Sequence, residues 1–227
     1  MKNLIDKKIL YIICGGISAY KSLETIRLFK KKEAQIKTIL TKSAKEFITP
    51  LSVASLSQGK VYEDLFNVEN ESEMDHIALS RWADVIIVSP ATANTISKLS
   101  QGSSEDLAST VILASNKQVF LAPAMNVRMW EHQSTKNNLK KLRSYGYRFI
   151  GPVTGDMACG EFGEGKMADP LEILKEYSYK IIGPEIGEMA CGEYGEGKMT
   201  DPNDIVNKID DYLFTIKKNN KLKALVT

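Results

Sequence analysis

Two thiols with almost identical neighbours are the first candidates for chemistry in this sequence. Cys159 and Cys191 each lie in a segment of the form Gly-x-Met-Ala-Cys-Gly-Glu. Glycines on both sides of a thiol are typical of a flap that closes over a ligand. A thiol with a suitable pKa can then donate a proton. The glycines therefore predict a mobile lid that presents the thiol, whereas Cys14, which ends an apolar run, is interpreted as inert packing.

A glycine pair is the second candidate. The motif Gly15-Gly16-Ile17-Ser18 stands between a predicted strand and a predicted helix. Glycines let a ligand approach the backbone, and the N–H groups at a helix start attract phosphate, with Ser18 able to cap the helix. The spacing is not Gly-x-Gly-x-x-Gly, so a dinucleotide-binding fingerprint is not supported. A tight turn without a ligand explains the motif equally well.

Three further segments offer polar groups at the ends of elements. Thr41-Lys42-Ser43 provides two hydroxyls and a cation. Pro90–Thr95 combines small residues, which leave room for a planar ring, with hydrogen-bonding groups on Asn94 and Thr95. Both segments are also explained as plain helix caps. His76 begins a predicted helix, where an imidazole can orient a carboxylate, although a surface histidine without a role is the commoner case.

An alternation of strands and helices positions these segments. Short runs rich in β-branched residues occur at Ile9–Ile13, Ile36–Thr41, Val85–Val88 and Val119–Leu121. Segments with helical spacing include Ser18–Lys32, Glu105–Ser115 and Ser134–Tyr145. This alternation predicts an α/β fold with a doubly wound, mostly parallel sheet in three layers. Ligands bind at the carboxyl ends of such strands, so the polar segments are expected to converge there.

The flap is part of an internal repeat with a constant shift of 32 residues, as between Cys159 and Cys191. Two copies are too few for a solenoid. We therefore interpret residues from about 147 to 202 as a duplicated flap, whose two apolar segments share one strand position or lie side by side. Asp204–Ile216 has the pattern of a closing amphipathic helix. The last residues, 217–227, have the pattern of a linker and a first strand, so we expect a fragment of a longer protein.

Composition argues against several classes of protein. The 227 residues contain 30 Lys and Arg against 28 Asp and Glu, and a net charge of +2 is too small to favour nucleic acid or a membrane surface as a partner. No apolar run approaches the roughly 20 residues of a membrane span, and the N-terminus lacks a signal-peptide pattern. With three cysteines and two histidines we expect no disulfide framework, no metal site and a cytoplasmic location.

Taken in order, these motifs resemble the homo-oligomeric flavin-containing cysteine decarboxylases. Within that family the resemblance is strongest to the phosphopantothenoylcysteine decarboxylases that form the N-terminal half of bifunctional CoaBC (Dfp) proteins. The motifs that carry it are Gly15–Lys21, Asp75–Ile77, Pro90–Thr95, Pro123–Trp130 and Ala158–Gly160. The resemblance implies a Rossmann-like flavoprotein decarboxylase domain over residues 1–216. Residues 217–227 would then be the linker and first strand of a synthetase half.

The resemblance also implies roles for individual residues. His76 would be the active-site base, Asn126 would bind the substrate carboxylate, and Cys159 would return a proton, with Cys191 as the duplicate candidate. Further substrate contacts would come from Met129, Met157 and Ala158. Flavin mononucleotide (FMN) would be held by Gly16, Ile17, Ser18, Thr41, Ser43, Thr92, Ala93, Asn94, Thr95 and Ala124.

The implied reaction is decarboxylation of 4'-phosphopantothenoylcysteine to 4'-phosphopantetheine in coenzyme A biosynthesis. A carboxylate next to an amide nitrogen leaves badly, because the carbanion has nowhere to delocalise. The resemblance implies that the substrate thiol is first oxidised by the flavin to a thioaldehyde, which would provide an electron sink. The enethiolate formed on loss of carbon dioxide would then recover a proton, and two electrons from the reduced flavin. The resemblance also implies a trimer, or a multiple of trimers, with the flavin site shared between neighbours.

Several alternatives stay open at this point. A relative that decarboxylates the C-terminal cysteine of a peptide uses the same chemistry. Flavin prenyltransferases lack the His76 and Ala-Cys-Gly elements, and phosphatase-binding relatives carry long acidic tails that this sequence does not show. A non-catalytic FMN-binding module would result if the duplicated flap blocked the site. The family has one flap, and Cys159 follows Pro123–Trp130 at the familiar interval, whereas Cys191 directly precedes the predicted closing helix.

Overall fold

Six parallel strands form the central sheet of this structure, a computed structural model that describes residues 4–64, 75–179, 185–188 and 194–198. The strands are β1 Lys8–Ile13, β2 Gln35–Leu40, β3 Val61–Tyr62, β4 Val85–Ala91, β5 Gln118–Pro123 and β6 Arg148–Phe149. All four predicted strands are present, and the spatial order in the sheet is β3-β2-β1-β4-β5-β6. The strand order reverses between β1 and β4, which is where such sheets bind ligands.

Helices connect successive strands along the chain. They are α1 Ala19–Lys30, α2 Pro50–Ser57, α3 Asp75–Trp82, α4 Ala93–Gln101, α5 Leu107–Leu113, α6 Val127–Glu131, α7 Gln133–Ser144 and α8 Pro170–Tyr179. A 3₁₀ turn, Lys42–Glu46, follows β2. The predicted helices correspond to α1, α5 and α7. Helices α1 and α5 are a few residues shorter than their sequence patterns, and α7 has the predicted length but begins one residue earlier.

Both faces of the sheet are covered, as the predicted three-layer fold requires. On one face, Leu10 and Ile12 of β1 belong to a buried cluster that includes Leu99 of α4. On the other face, the ring of Tyr11 meets Phe29 of α1 edge-on, with centroids 6.5 Å apart. Strand β4 is buried along its whole length. Burial on two faces explains why these strands show continuous apolar runs rather than alternation.

Two antiparallel hairpins reproduce the repeat found in the sequence. The first hairpin pairs β7 Val153–Asp156 with β8 Phe162–Lys166, and the second pairs β9 Glu185–Glu188 with β10 Tyr194–Lys198. Their registers correspond after a shift of 32 residues, and the strand pairing is irregular at the same place in both. The duplicated segment is therefore a duplicated hairpin.

The chain divides into two compact units, residues 1–174 and residues 175–227. Strand β6 contains Phe149, the start of the first repeat's apolar segment, whereas the corresponding residues 181–183 lie outside the described residues. The predicted helix Asp204–Ile216 and residues 217–227 also lie outside them, so the predicted domain boundary at residue 216 stays a prediction. No helix in the described part of the chain is long and apolar enough to cross a membrane.

Candidate active site

A cleft of about 660 Å³ lies at the carboxyl ends of β1, β2, β4 and β5. Its volume falls within the roughly 300–1,000 Å³ of small-molecule sites. Eight of the ten residues predicted to hold a cofactor line it: Gly16, Thr41, Ser43, Thr92, Ala93, Asn94, Thr95 and Ala124. Met129, a predicted substrate contact, also lines the cleft. The expected convergence of the polar segments is therefore present in the structure.

The turn after β1 forms one wall of the cleft by close backbone packing. A Cβ atom on Gly15 would lie 2.4 Å from Cβ of Ser43, so only glycine fits at this contact. A Cβ atom on Gly16 would meet nothing closer than 3.9 Å. Ile17 is 58% exposed, and neither Ile17 nor Ser18 lines the cleft. Ser18 precedes α1 without the side-chain cap that the sequence suggested.

Thr41, directly after β2, has an unsatisfied polar atom. Its Oγ1 is buried and has no hydrogen-bond partner within the described residues. It makes no side-chain cap to the following 3₁₀ turn, so the helix-cap explanation of Thr41 is wrong. Buried hydroxyls nearly always have a partner. A ligand with polar atoms in the cleft is the kind of group that would satisfy this one.

The segment after β4 combines a helix cap with a cleft wall. Thr92 Oγ1 accepts a hydrogen bond from the Thr95 backbone N–H at 3.3 Å and lies 3.0 Å from Thr95 Oγ1. This cap fixes the start of α4. Cys14 is buried beneath it, and burial raises the pKa of its thiol to about 11, with a smaller opposing effect from hydrogen bonding to Thr95. The thiol is protonated at neutral pH, in agreement with inert packing.

A group of ion-paired residues in the cleft wall was not predicted from the sequence. Lys98 Nζ lies 3.1 Å from carboxylate oxygens of both Glu105 and Asp106. Hydrogen bonds to these carboxylates raise the pKa of Lys98. All three residues line the cleft. Among the described residues, no group of three or more His, Cys, Asp and Glu side chains could hold a metal ion.

Asp106 shapes this wall by capping α5. Its side chain accepts from the Ser109 backbone N–H at 2.8 Å, and Ser109 Oγ accepts in turn from the Asp106 N–H at 3.3 Å. Burial raises the pKa of the Asp106 carboxyl, but hydrogen bonds from Ser109 and Lys98 outweigh it, and the net shift is downward. The signal available in the sequence was Asp-x-x-Ser shortly after Gly102, a capping-box pattern.

The first hairpin is attached to the segment Met125–Val127, which we call the docking segment. The Met125 N–H donates to the Gly165 carbonyl at 3.1 Å. A Cβ atom on Gly165 would lie 2.4 Å from the Met125 carbonyl oxygen, and one on Gly163 would lie 2.8 Å from Val127 Cγ2. Both glycines are therefore required for the hairpin to lie this close. Since Met125 lines the cleft, the hairpin adjoins the cleft wall.

The predicted catalytic residues near the hairpin are placed differently from one another. Asn126 Oδ1 accepts from the Met129 N–H at 2.8 Å and caps α6. Cys159 is exposed in the turn between β7 and β8, with Sγ 3.6 Å from Glu161 Oε2. A hydrogen bond of 2.9 Å from the Met157 N–H to the Glu161 carbonyl closes that turn. Ala158 is exposed beside the thiol.

A second attachment ties the base of the hairpin to α1. Lys21 Nζ lies 2.8 Å from Asp169 Oδ1 and 3.4 Å from the Met167 carbonyl. Met167 is buried, and its sulfur accepts from Ser89 Oγ at 3.5 Å. The strand end of β4 and the start of α1 thus hold the C-terminal end of the hairpin.

Three predicted catalytic residues, His76, Asn126 and Cys159, are not among the residues that line the cleft. His76 lies in α3, is partly buried, and is not among the residues that line the cleft of a single chain. Asn126, Met157, Ala158 and Cys159 are likewise outside the cleft lining, although they belong to the docking segment or to the hairpin beside it. Cys191 lies outside the described residues.

Comparison with protein families matches this chain to the one described as Flavoprotein, over residues 2–176. The chain is similar to the coenzyme A biosynthesis bifunctional protein CoaBC of Haemophilus influenzae, with 45% identity over 171 residues, 75% of this chain and 43% of that protein. It is similar to the CoaBC protein of Bacillus subtilis, with 41% identity over 170 residues, 75% of this chain and 42% of the relative. The chain thus spans less than half the length of these relatives.

Solved structures show the same similarity. A mutant PPC decarboxylase complexed with pantothenoylaminoethenethiol is 30% identical with a TM-score of 0.68, and the match covers 76% of this chain and 97% of that one. The FMN-binding protein AtHal3 is also 30% identical, with a TM-score of 0.66, and the match covers 77% and 97% of the two chains.

Proposed function

Because the chain belongs to the flavoprotein family, we propose that it is an FMN-dependent decarboxylase of 4'-phosphopantothenoylcysteine. The products would be carbon dioxide and 4'-phosphopantetheine, an intermediate of coenzyme A biosynthesis. Support comes from the similarity to the CoaBC proteins and to the PPC decarboxylase structure. Since the chain spans less than half of its bifunctional relatives, the proposal concerns the decarboxylation step alone.

Two features of the cleft support the binding of FMN. The Oγ1 of Thr41 is buried and has no hydrogen-bond partner in the described part of the chain, and Gly16 leaves room for a ligand against the backbone. Bound flavin supplies reversible two-electron redox chemistry. The residues that would hold it are the eight predicted residues in the cleft wall, with Ile17 and Ser18 at its edge.

The observation that carries the proposal is the attachment of a thiol-bearing hairpin beside this cleft. The hydrogen bond between Met125 and Gly165 joins a cleft-wall residue to the strand that follows the Cys159 turn. The thiol itself is exposed and can meet a substrate that enters from solvent. This arrangement favours a decarboxylase over a protein that only binds FMN.

Each residue of the chain near the substrate would have a distinct role in the reaction. Asn126, held at the start of α6, would bind the substrate carboxylate, with Met129, Met157 and Ala158 contacting the rest of the cysteine end. Loss of carbon dioxide leaves an electron pair on carbon that needs a proton. The Cys159 Sγ would donate that proton, and His76 would act as a base.

The position of His76 supports self-association as part of the proposal. In a single chain His76 lies outside the cleft, so a trimer or a multiple of trimers that shares the site between neighbours would bring it to a flavin. Ile17 and Tyr20, around the start of α1, are 58% and 59% exposed and would be stabilised by burial against a neighbouring chain. The cytoplasm is the compartment we propose, since the described thiols Cys14 and Cys159 are both free.

The test is carbon dioxide release from 4'-phosphopantothenoylcysteine by the FMN-loaded protein. A peptide ending in cysteine serves as the competing substrate, and Cys159→Ser and Cys191→Ser are matched variants. We expect release from the first substrate only, with a loss of at least a hundredfold in Cys159→Ser, because general acid catalysis contributes about 10²–10⁴ in rate. A protein that retains FMN but releases carbon dioxide from neither substrate would refute the decarboxylase proposal.

A further inference from the structure

The second hairpin duplicates the first in geometry as well as in sequence. In the first, Asp156, Gly155 and Thr154 pair with Phe162, Gly163 and Glu164. In the second, the residues 32 positions later pair in the same register, Glu188 with Tyr194 and Gly187 with Gly195. The register shifts at the equivalent point, before Lys166 in one and Lys198 in the other. A decarboxylase with one flap has no need of this second copy.

The contacts that hold the first hairpin depend on residue types that the second retains. The docking segment accepts β8 only because Gly163 and Gly165 lack side chains. Strand β10 carries Gly195 and Gly197 at the equivalent positions. The sequence also has Met199 and Asp201 where the first copy has Met167 and Asp169, the residues that engage Ser89 and Lys21.

We infer that the second hairpin, β9–β10, is an alternative occupant of the docking segment. The chain then has two folded forms that differ by a slip of one 32-residue repeat. In the first form β7–β8 contacts Met125–Val127, as in this structure. In the second form Gly195 and Gly197 take the places of Gly163 and Gly165, and the first repeat forms a long connection after α7.

Two features make the first form the major one. The connection from α7 to the edge strand grows from residues 145–147 to residues 145–179 in the second form, which lowers its population roughly 40-fold by loop-closure entropy. Val153 of β7 is partly buried, and the second hairpin has Glu185 at that position. A carboxylate buried in place of an apolar side chain lowers that population further.

Engineered disulfides distinguish the two forms. A Cβ on Gly163 lies 3.3 Å from Cβ of Val127, close to the 3.5–4.5 Å typical of a disulfide. In a Cys159→Ser, Cys191→Ser background, Val127→Cys with Gly163→Cys reports the first form, and Val127→Cys with Gly195→Cys reports the second. Peptide mass spectrometry after mild oxidation measures both. We expect the second cross-link at about 1% of the first or less, because loop closure and the buried carboxylate both disfavour the second form.

A substitution that blocks the first form sharpens the test. Gly165→Val should raise the 127–195 cross-link at least tenfold, because its side chain would collide with Met125, and Gly197→Val should abolish it. A variant that lacks residues 149–180 has only the second hairpin and should give the 127–195 cross-link in full. Absence of that cross-link from the folded deletion variant, or its appearance only between two chains, would overturn the inference.

The catalytic consequence rests on the proposed function, whereas the cross-links do not. If the chain is a decarboxylase, each form presents its own thiol, Cys159 or Cys191. Cross-links without carbon dioxide release would refute only the decarboxylase proposal. Carbon dioxide release without the 127–195 cross-link would refute only the exchange.

Discussion

Cys14 and Cys159 carry the same thiol in two regions that are built in different ways. Cys14 is 1% exposed at the end of β1, beneath the cleft wall. Cys159 is exposed in the turn of a hairpin that is attached through backbone contacts to Met125. The comparison shows that position in the fold decides what a thiol can do. The sheet edge holds its side chains by packing, and the hairpin presents one to solvent.

Thiol labelling gives the largest expected difference between the two regions. In a Cys191→Ser background at pH 8, a thiol with a pKa of about 11 is ionised to only about one part in 1,000, and Cys14 is also shielded from reagent. We expect Cys159 to react with an aromatic disulfide reagent at least 1,000-fold faster than Cys14. Equal labelling rates for Cys14 and Cys159 in the folded protein would contradict the difference in burial between them. In denaturant the two labelling rates should become similar.

The pH dependence of stability tests the burial of Cys14 separately. Its pKa is about 11 when folded, against an ordinary value of 9.0. Below pH 9 both states keep the proton and stability is complete. Between pH 9 and 11 only the unfolded chain releases it, so the free energy of unfolding falls by about 3 kcal/mol.

Denaturant unfolding of the parent and Cys14→Ala at pH 8 and pH 11 measures this effect. Other groups titrate in the same range, so only the difference between the two proteins is informative. The cavity left by the substitution costs the same at both pH values. If the two proteins lost equal stability between pH 8 and 11, Cys14 would not be buried as the structure shows.

The sheet edge was predictable from sequence because its signals are local. Continuous apolar runs mark β1 and β4, and polar or glycine residues follow each strand, so their convergence follows from topology alone. The Lys98 wall was missed for the opposite reason. Its ion pairs to Glu105 and Asp106 join two helices across a turn, and nothing in the pattern of α5 shows which side faces the cleft.

The duplication of the hairpin was predictable from the sequence, but its attachment to the docking segment was not. Identical segments around Cys159 and Cys191 are visible in the sequence. That Gly163 and Gly165 are needed for contact with Val127 and Met125 depends on a meeting of distant segments, which no local pattern reports. The position of His76 outside the cleft of a single chain could not be predicted from sequence either, because it depends on which helices pack together.

Gly15→Ala tests whether packing holds the cleft wall. The added Cβ would lie 2.4 Å from Cβ of Ser43 and 2.7 Å from its carbonyl, so the 3₁₀ turn Lys42–Glu46 must move. Overpacking of this kind costs about 1–3 kcal/mol. If FMN occupies the cleft, its Kd should rise about ten- to a hundredfold, as measured by quenching of flavin fluorescence.

Gly59→Ala is the matched control, because its Cβ would meet nothing closer than 3.7 Å and the residue lies outside the cleft lining. It should leave the Kd unchanged. An unchanged Kd in Gly15→Ala would mean that the wall adapts without effect on the ligand.

Asp106→Ala tests the ion-paired part of the cleft wall around Lys98 and has the smallest expected effect. The substitution removes the cap on α5 and one carboxylate of the Lys98 pair, and should lower the free energy of unfolding by about 1 kcal/mol. Asp106→Asn keeps an oxygen that can cap and removes only the charge, so it should cost a few tenths of that.

The free energy of unfolding at acidic pH separates the contribution of the helix cap from that of the Asp106 charge. The pKa of Asp106 is lowered on folding, because the hydrogen bonds from Ser109 and Lys98 outweigh the burial that raises it. Its charge therefore stabilises the fold above the unfolded pKa, and that stability is lost as the pH falls through the folded pKa. The deficit of Asp106→Asn should shrink on acidification, while the part of the Asp106→Ala deficit due to the missing cap should persist. A constant deficit for both variants would assign this wall's stability to the cap and none of it to the ion pair.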